Sequence, residues 1–184
     1  MEPASLTVPF ICVVLVVAAA IDGWKLKVPN WLTFPLVVGG WAAALAVGGW
    51  TALGMSVLGT AVGLALLLPA YAVGGMGAGD VKLLAGVGAW IGPLQGGLWH
   101  VFYAFCASAV VGAVLAIAMV LYRRAFRQHW LSFYALLVEF VTVRDPRSLS
   151  ELAVSRKPSM LLLPYAIPLA IGSIGYFFWA GLVI

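Results

Sequence analysis

The sequence predicts an all-α, polytopic membrane protein of six transmembrane helices, and three observations lead there. Hydrophobic residues make up 64% of the 184 and charged residues only 9%, where a soluble domain carries ~25% charged residues. The mean hydropathy is +1.10, so such a core would have no polar shell to cover it. The apolar residues fall in long uncharged runs, and six spans of ~20 residues leave room for one sizeable loop in a single domain over 1–184.

The first run, 4–21, is uncharged and reads as a first helix. It is not read as a cleaved signal peptide, because Glu2 stands where a basic leader segment belongs and Asp22 follows at once. A polar joint from Asp22 to Asn30 comes next, in which Pro29 pushes Val28 toward an extended conformation. The first helix should therefore end before it, with Asn30 capping the second through its side-chain oxygen. Trp31 to Gly79 holds no charge. That length suits two spans, 31–48 and 52–73, broken at Gly48-Gly49-Trp50-Thr51.

A glycine-rich stretch, Gly75-Met76-Gly77-Ala78-Gly79, then leads to Asp80. The helix that follows, 79–91, stops at Gly92-Pro93 and rises only ~20 Å, short of the ~30 Å hydrocarbon thickness. Asp80 then lies inside the membrane yet near water. A long span over 94–122 follows. Residues 123–158 form the one sizeable polar loop, with a short apolar piece from Trp130 to Val143 expected to lie along the interface. A last span over 160–183 closes the chain.

The net charge of +4 comes from ten Lys and Arg against six Asp and Glu. In a membrane protein this excess signals topology and contact with anionic headgroups, not a nucleic-acid partner. With six spans, the Lys25/Lys27 joint, the segment ending in Lys82 and the Arg123–Lys157 loop share one side. Together they hold all ten basic residues. By the positive-inside rule that side is cytoplasmic, so both termini face outward. Asp22 and Asp80 then sit at the same depth, at the cytoplasmic ends of the first and fourth helices.

A carboxylate set against hydrocarbon costs ~2.5–3.5 kcal/mol on insertion scales and marks a functional site by default. Two at one depth suggest a catalytic pair. Like charges a few ångströms apart cannot both ionise easily, so two carboxyls can share one proton. The ionised one then acts as general base on a water, while the protonated one polarises a scissile carbonyl. The glycines before Asp80 allow a close backbone approach. No metal or other cofactor is expected. Cys12 and Cys106 are isolated in apolar runs, and His100 has no second ligand at metal spacing.

Gly77-Ala78-Gly79-Asp80-Val81-Lys82 resembles the GxGD signature of the type IV prepilin peptidases, a family of membrane aspartyl proteases. Asp22 with Lys27-Val28-Pro29-Asn30-Trp31-Leu32-Thr33 resembles a second motif of that family, and Leu163-Pro164-Tyr165-Ala166-Ile167-Pro168 its last-span pattern. The resemblance implies that Asp22 and Asp80 are the catalytic pair. It implies removal of the leader from prepilin or pseudopilin substrates, at the cytoplasmic face of the inner membrane. Longer relatives carry a cytoplasmic insertion with paired C-x-x-C motifs linked to N-methylation. Nothing like it occurs here, so peptidase activity without methyl transfer is expected.

Plainer roles stand beside these. Lys25 or Lys27 could neutralise Asp22, and Asp80 could serve the dipole at its helix N-terminus. Lys82, two residues beyond Asp80, points to a different side of the helix. It either snorkels to the interface or assists with substrate. Gly77, Gly79 and Asn30 are supporting or substrate-binding candidates. Related chemistry would be a preflagellin or presenilin-like protease. From other classes, an ion-coupled transporter would also keep intramembrane acids and broken helices, and a non-catalytic scaffold would survive loss of both aspartates.

Overall fold

The computed structural model describes residues 4–72, 76–122 and 164–183, and all their regular structure is α-helical. The basic 123–158 segment, with the interfacial helix expected in it, and Gly75 of the glycine-rich stretch lie outside the described residues. Five helices follow one another: α1 (Ala4–Lys25), α2 (Asn30–Ala72), α3 (Ala78–Ile91), α4 (Gly97–Tyr122) and α5 (Ala166–Trp179). Three stretches, Leu6–Lys25, Asn30–Ala72 and Gly97–Met119, are long and apolar enough to cross a membrane.

At 43 residues α2 would rise about 65 Å if straight, twice the hydrocarbon thickness. It is not straight. Gly49 takes φ 63° and ψ −155°, a backbone region open essentially to glycine alone. The chain turns there into two arms, 30–48 and 50–72. Trp41 Nε1 donates to Thr60 Oγ1 across them at 3.0 Å.

Short as it is, α3 does not lie at the edge. Ten of the fourteen residues of α3 are buried, enclosed by both arms of α2 together with α1, α4 and α5. Small residues make this possible, as bilayer packing favours. A Cβ on Gly40 would meet Ala89 and one on Gly63 would meet Leu84, while Gly59 and Gly88 lie backbone to backbone. Trp90 Nε1 donates to the Leu36 carbonyl at 2.8 Å, and Ser56 Oγ to that of Ala89. Across α4 and α5, Ser108 Oγ donates to the Leu169 carbonyl at 3.1 Å. His100 pairs with the Tyr176 hydroxyl at 2.8 Å, a hydrogen-bonding role for that histidine.

These contacts fix direction. Asp22 reaches Ala166, Val28 reaches Gly79, Asn30 reaches Lys82 and Gly112 reaches Tyr165. The end of α1 thus shares one end of the bundle with the starts of α2, α3 and α5, and α4 runs toward that end antiparallel to α5. Two sequence expectations need correction. α1 runs on past Ile21 to Lys25, carrying Gly23 as a helical residue in a stretch without proline. It stops at Leu26, which has φ 51°. Asn30 is the first helical residue of α2, not its cap; the Pro29 carbonyl accepts the Leu32 N–H at 3.1 Å in the capping position.

Candidate active site

α1 carries Asp22 into its last turn, where it is 3% exposed despite its charge. Its Oδ2 accepts a hydrogen bond from the Ala166 N–H at 3.1 Å, at the first residue of α5. That N–H has no partner within its own helix, and the positive end of the helix dipole favours a carboxylate beside it. Asp22 therefore anchors a helix that starts 144 residues away. The Lys25 and Lys27 side chains beyond it are exposed.

Asp80 is the third residue of α3 and 5% exposed. Its Oδ2 accepts the Gly77 N–H at 3.2 Å, which folds the side chain back over the helix start. Its Oδ1 is buried and has no hydrogen-bond partner among the described residues. A buried carboxylate oxygen left unpaired is expensive, and such a group in a native structure calls for an explanation. The two carboxylates lie within electrostatic reach of each other, and the half-buried phenol of Tyr165 within reach of Asp80.

The supporting candidates separate by role. Gly79 lets the joint between α1 and α2 come close, since a Cβ there would lie 2.7 Å from the Val28 carbonyl oxygen and 2.9 Å from its Cβ. Gly77 supplies the N–H that Asp80 accepts, and a Cβ on it would stand 3.2 Å from that carboxylate oxygen. Lys82 turns to α2. Its Nζ donates to Asn30 Oδ1 at 3.0 Å and lies 4.7 Å from the centre of the Phe34 ring. Lys82 and Asn30 thus fasten the start of α3 to the start of α2.

Three groups at this end escaped the sequence reading as individual participants: the Ala166 N–H, the Tyr165 phenol and Thr33. Thr33 is fully buried, and its hydroxyl has no hydrogen-bond partner among the described residues. Among those residues no cluster of three or more His, Cys, Asp or Glu could hold a metal.

Residues 9–117 match the profile of the type IV leader peptidase family. A protein named prepilin leader peptidase/N-methyltransferase from Aeromonas salmonicida (strain A449) is 37% identical over 118 residues. That stretch covers 60% of this chain and 38% of the relative. A protein of the same name from Aeromonas hydrophila matches with the same identity and coverage. The chain thus spans well under half the length of these curated relatives. No solved structure matches it. Asp22 and Asp80 lie inside the matched residues, whereas α5, whose Ala166 N–H donates to Asp22, lies beyond them.

Proposed function

The chain belongs to the type IV leader peptidase family, and on that footing we propose that it is a membrane-embedded aspartyl endopeptidase. It removes the leader from type IV prepilin or pseudopilin-like substrates at the cytoplasmic face of the inner membrane. Asp22 and Asp80 are its catalytic pair. The observation that carries this reading is two buried carboxylates, on helices far apart in sequence, within electrostatic reach at one end of the bundle.

The pair holds one proton between them. The ionised carboxylate takes a proton from water as the water oxygen adds to the scissile carbonyl carbon. The protonated carboxyl gives its proton to the carbonyl oxygen. In the second half a hydroxyl of the resulting gem-diol returns its proton, the C–N bond breaks, and the departing nitrogen takes the proton from the first carboxyl. No group outside the chain and the substrate is needed beyond that water.

We place six spans in the membrane: α1, the two arms of α2, α3, α4 and α5. Both termini are then outside, with every Lys and Arg on the side of the carboxylates. The enclosure of α3 by its neighbours supports a helix of only 14 residues at membrane depth. The basic 123–158 loop meets anionic headgroups. Cys12 and Cys106 form no C-x-x-C pair, and the purified chain transfers no methyl group from S-adenosylmethionine; methylated product would refute that part.

The test is co-expression with a prepilin, following the precursor mass. The wild-type chain shortens it by the leader, while Asp22→Asn and Asp80→Asn leave it whole at equal membrane levels. A precursor untouched by the wild type, or cut by either variant, overturns the proposal.

A further inference from the structure

Two buried side-chain oxygens have no hydrogen-bond partner among the described residues: Asp80 Oδ1 and Thr33 Oγ1. Asp80 already has a place in the proposed reaction and Thr33 does not. A lone buried hydroxyl costs about 1–3 kcal/mol relative to an apolar group of the same shape. Valine matches threonine closely in shape. Fold stability alone therefore favours valine at position 33, and the hydroxyl needs another reason.

Its position supplies one. Thr33, Leu36, Gly40 and Ala44 are the buried residues of the first arm of α2, one stripe at helical spacing. That stripe faces α3: Leu36 meets Gly86, and Gly40 meets Ala89 and Trp90. Nearer the carboxylates, Val28 lies against Gly79 and Asn30 holds Lys82. The two helices run side by side in one direction, so Thr33 falls between the Asn30–Lys82 and Leu36–Gly86 contacts. Along the helix axis this level is about one turn beyond Asp80. Side chains tilt toward the N-terminus of their helix, and for both helices that is the carboxylate end.

We propose that the Thr33 hydroxyl and the free oxygen of Asp80 face one small polar space and together hold the water that attacks the substrate. Thr33 is then a positioning residue of the peptidase site, and its role rests on the reading of that site as hydrolytic. A hydroxyl both donates and accepts. It fixes one hydrogen or lone pair of the water while the carboxylate takes the other hydrogen.

The test compares Thr33→Val, which removes the hydroxyl and keeps the shape, with Thr33→Ser, which keeps the hydroxyl. Cleavage of a prepilin by Thr33→Val should fall at least tenfold in kcat, with KM within about twofold and Tm unchanged or higher. Thr33→Ser should stay within about threefold of wild type. A kcat unchanged in Thr33→Val, or a loss carried by KM, overturns the proposal. A second readout needs no substrate. If Thr33 and Asp80 share a water, the Tm shifts of Thr33→Val and Asp80→Asn are non-additive in the double variant, and additive shifts overturn the proposal. Should the wild type leave every prepilin whole, the peptidase reading fails, and this cycle alone decides whether the two groups share a ligand.

Discussion

Replacing Asp22 by asparagine and by alanine separates what its charge does from what its oxygen holds. Asparagine keeps an oxygen that can accept the Ala166 N–H, now 3.1 Å from Oδ2. It gives up the attraction of a full charge to the start of α5, about 0.3–1 kcal/mol and up to about 2 in a buried setting, and at the same time relieves the burial of that charge and its repulsion from Asp80. Alanine also strips that N–H of its partner. Ala166 is fully buried and Asp22 is 3% exposed, so water does not readily substitute. The orphaned N–H adds about 1–3 kcal/mol. Thermal unfolding in detergent should leave Asp22→Asn close to the wild type and Asp22→Ala clearly below both. Leader removal, read by mass spectrometry, should fall by about 10⁴ or more in both, as when one member of a catalytic unit is lost. Equal stability of the two variants would refute the anchoring of α5 by Asp22. Leader removal by Asp22→Asn would refute the carboxylate chemistry.

Two further variants probe the frame around the pair. Gly79→Ala puts a Cβ against the Val28 backbone, at 2.7 Å from its oxygen. This overpacking should cost about 1–3 kcal/mol and cut leader removal at least tenfold with both aspartates intact. Gly54→Ala, where a Cβ meets nothing within 4 Å, should leave leader removal unchanged and raise stability by up to about 1 kcal/mol, and equal effects at 54 and 79 would sink the close-approach role. Lys82→Met removes the bond to Asn30 and the contact with the Phe34 ring. It should lower stability by about 0.5–2 kcal/mol and leave cleavage within about tenfold, whereas a loss as complete as that of Asp80→Asn would move Lys82 into the reaction itself.

Asp22 and Asp80 are legible in the sequence because an acid amid apolar residues has few explanations. The helix break at Gly49 is legible for a similar reason, since an uncharged run of that length cannot cross once. The end of α1 is not. Asp22-Gly23-Trp24-Lys25 continues a helix as readily as it opens a joint, and the stop is made by the backbone of Leu26. The partners of the carboxylates are hidden for another reason. Ala166 reaches Asp22 across 144 residues, and Asn30 reaches Lys82 across 52. No local spacing encodes such pairs. Thr33 stands in a recognisable motif, yet its unpaired hydroxyl emerges only once α3 covers it.

Leader removal by this chain requires Asp22 and Asp80 to form one site. In a chain with Cys12 and Cys106 changed to serine, Asp22→Cys combined with Asp80→Cys should be joined rapidly by a short thiol cross-linker in native membranes. Asp22→Cys combined with Thr51→Cys, at the far end of the bundle, should not. A 22–80 pair that stays unlinked, or links no faster than the 22–51 pair, would contradict a shared site.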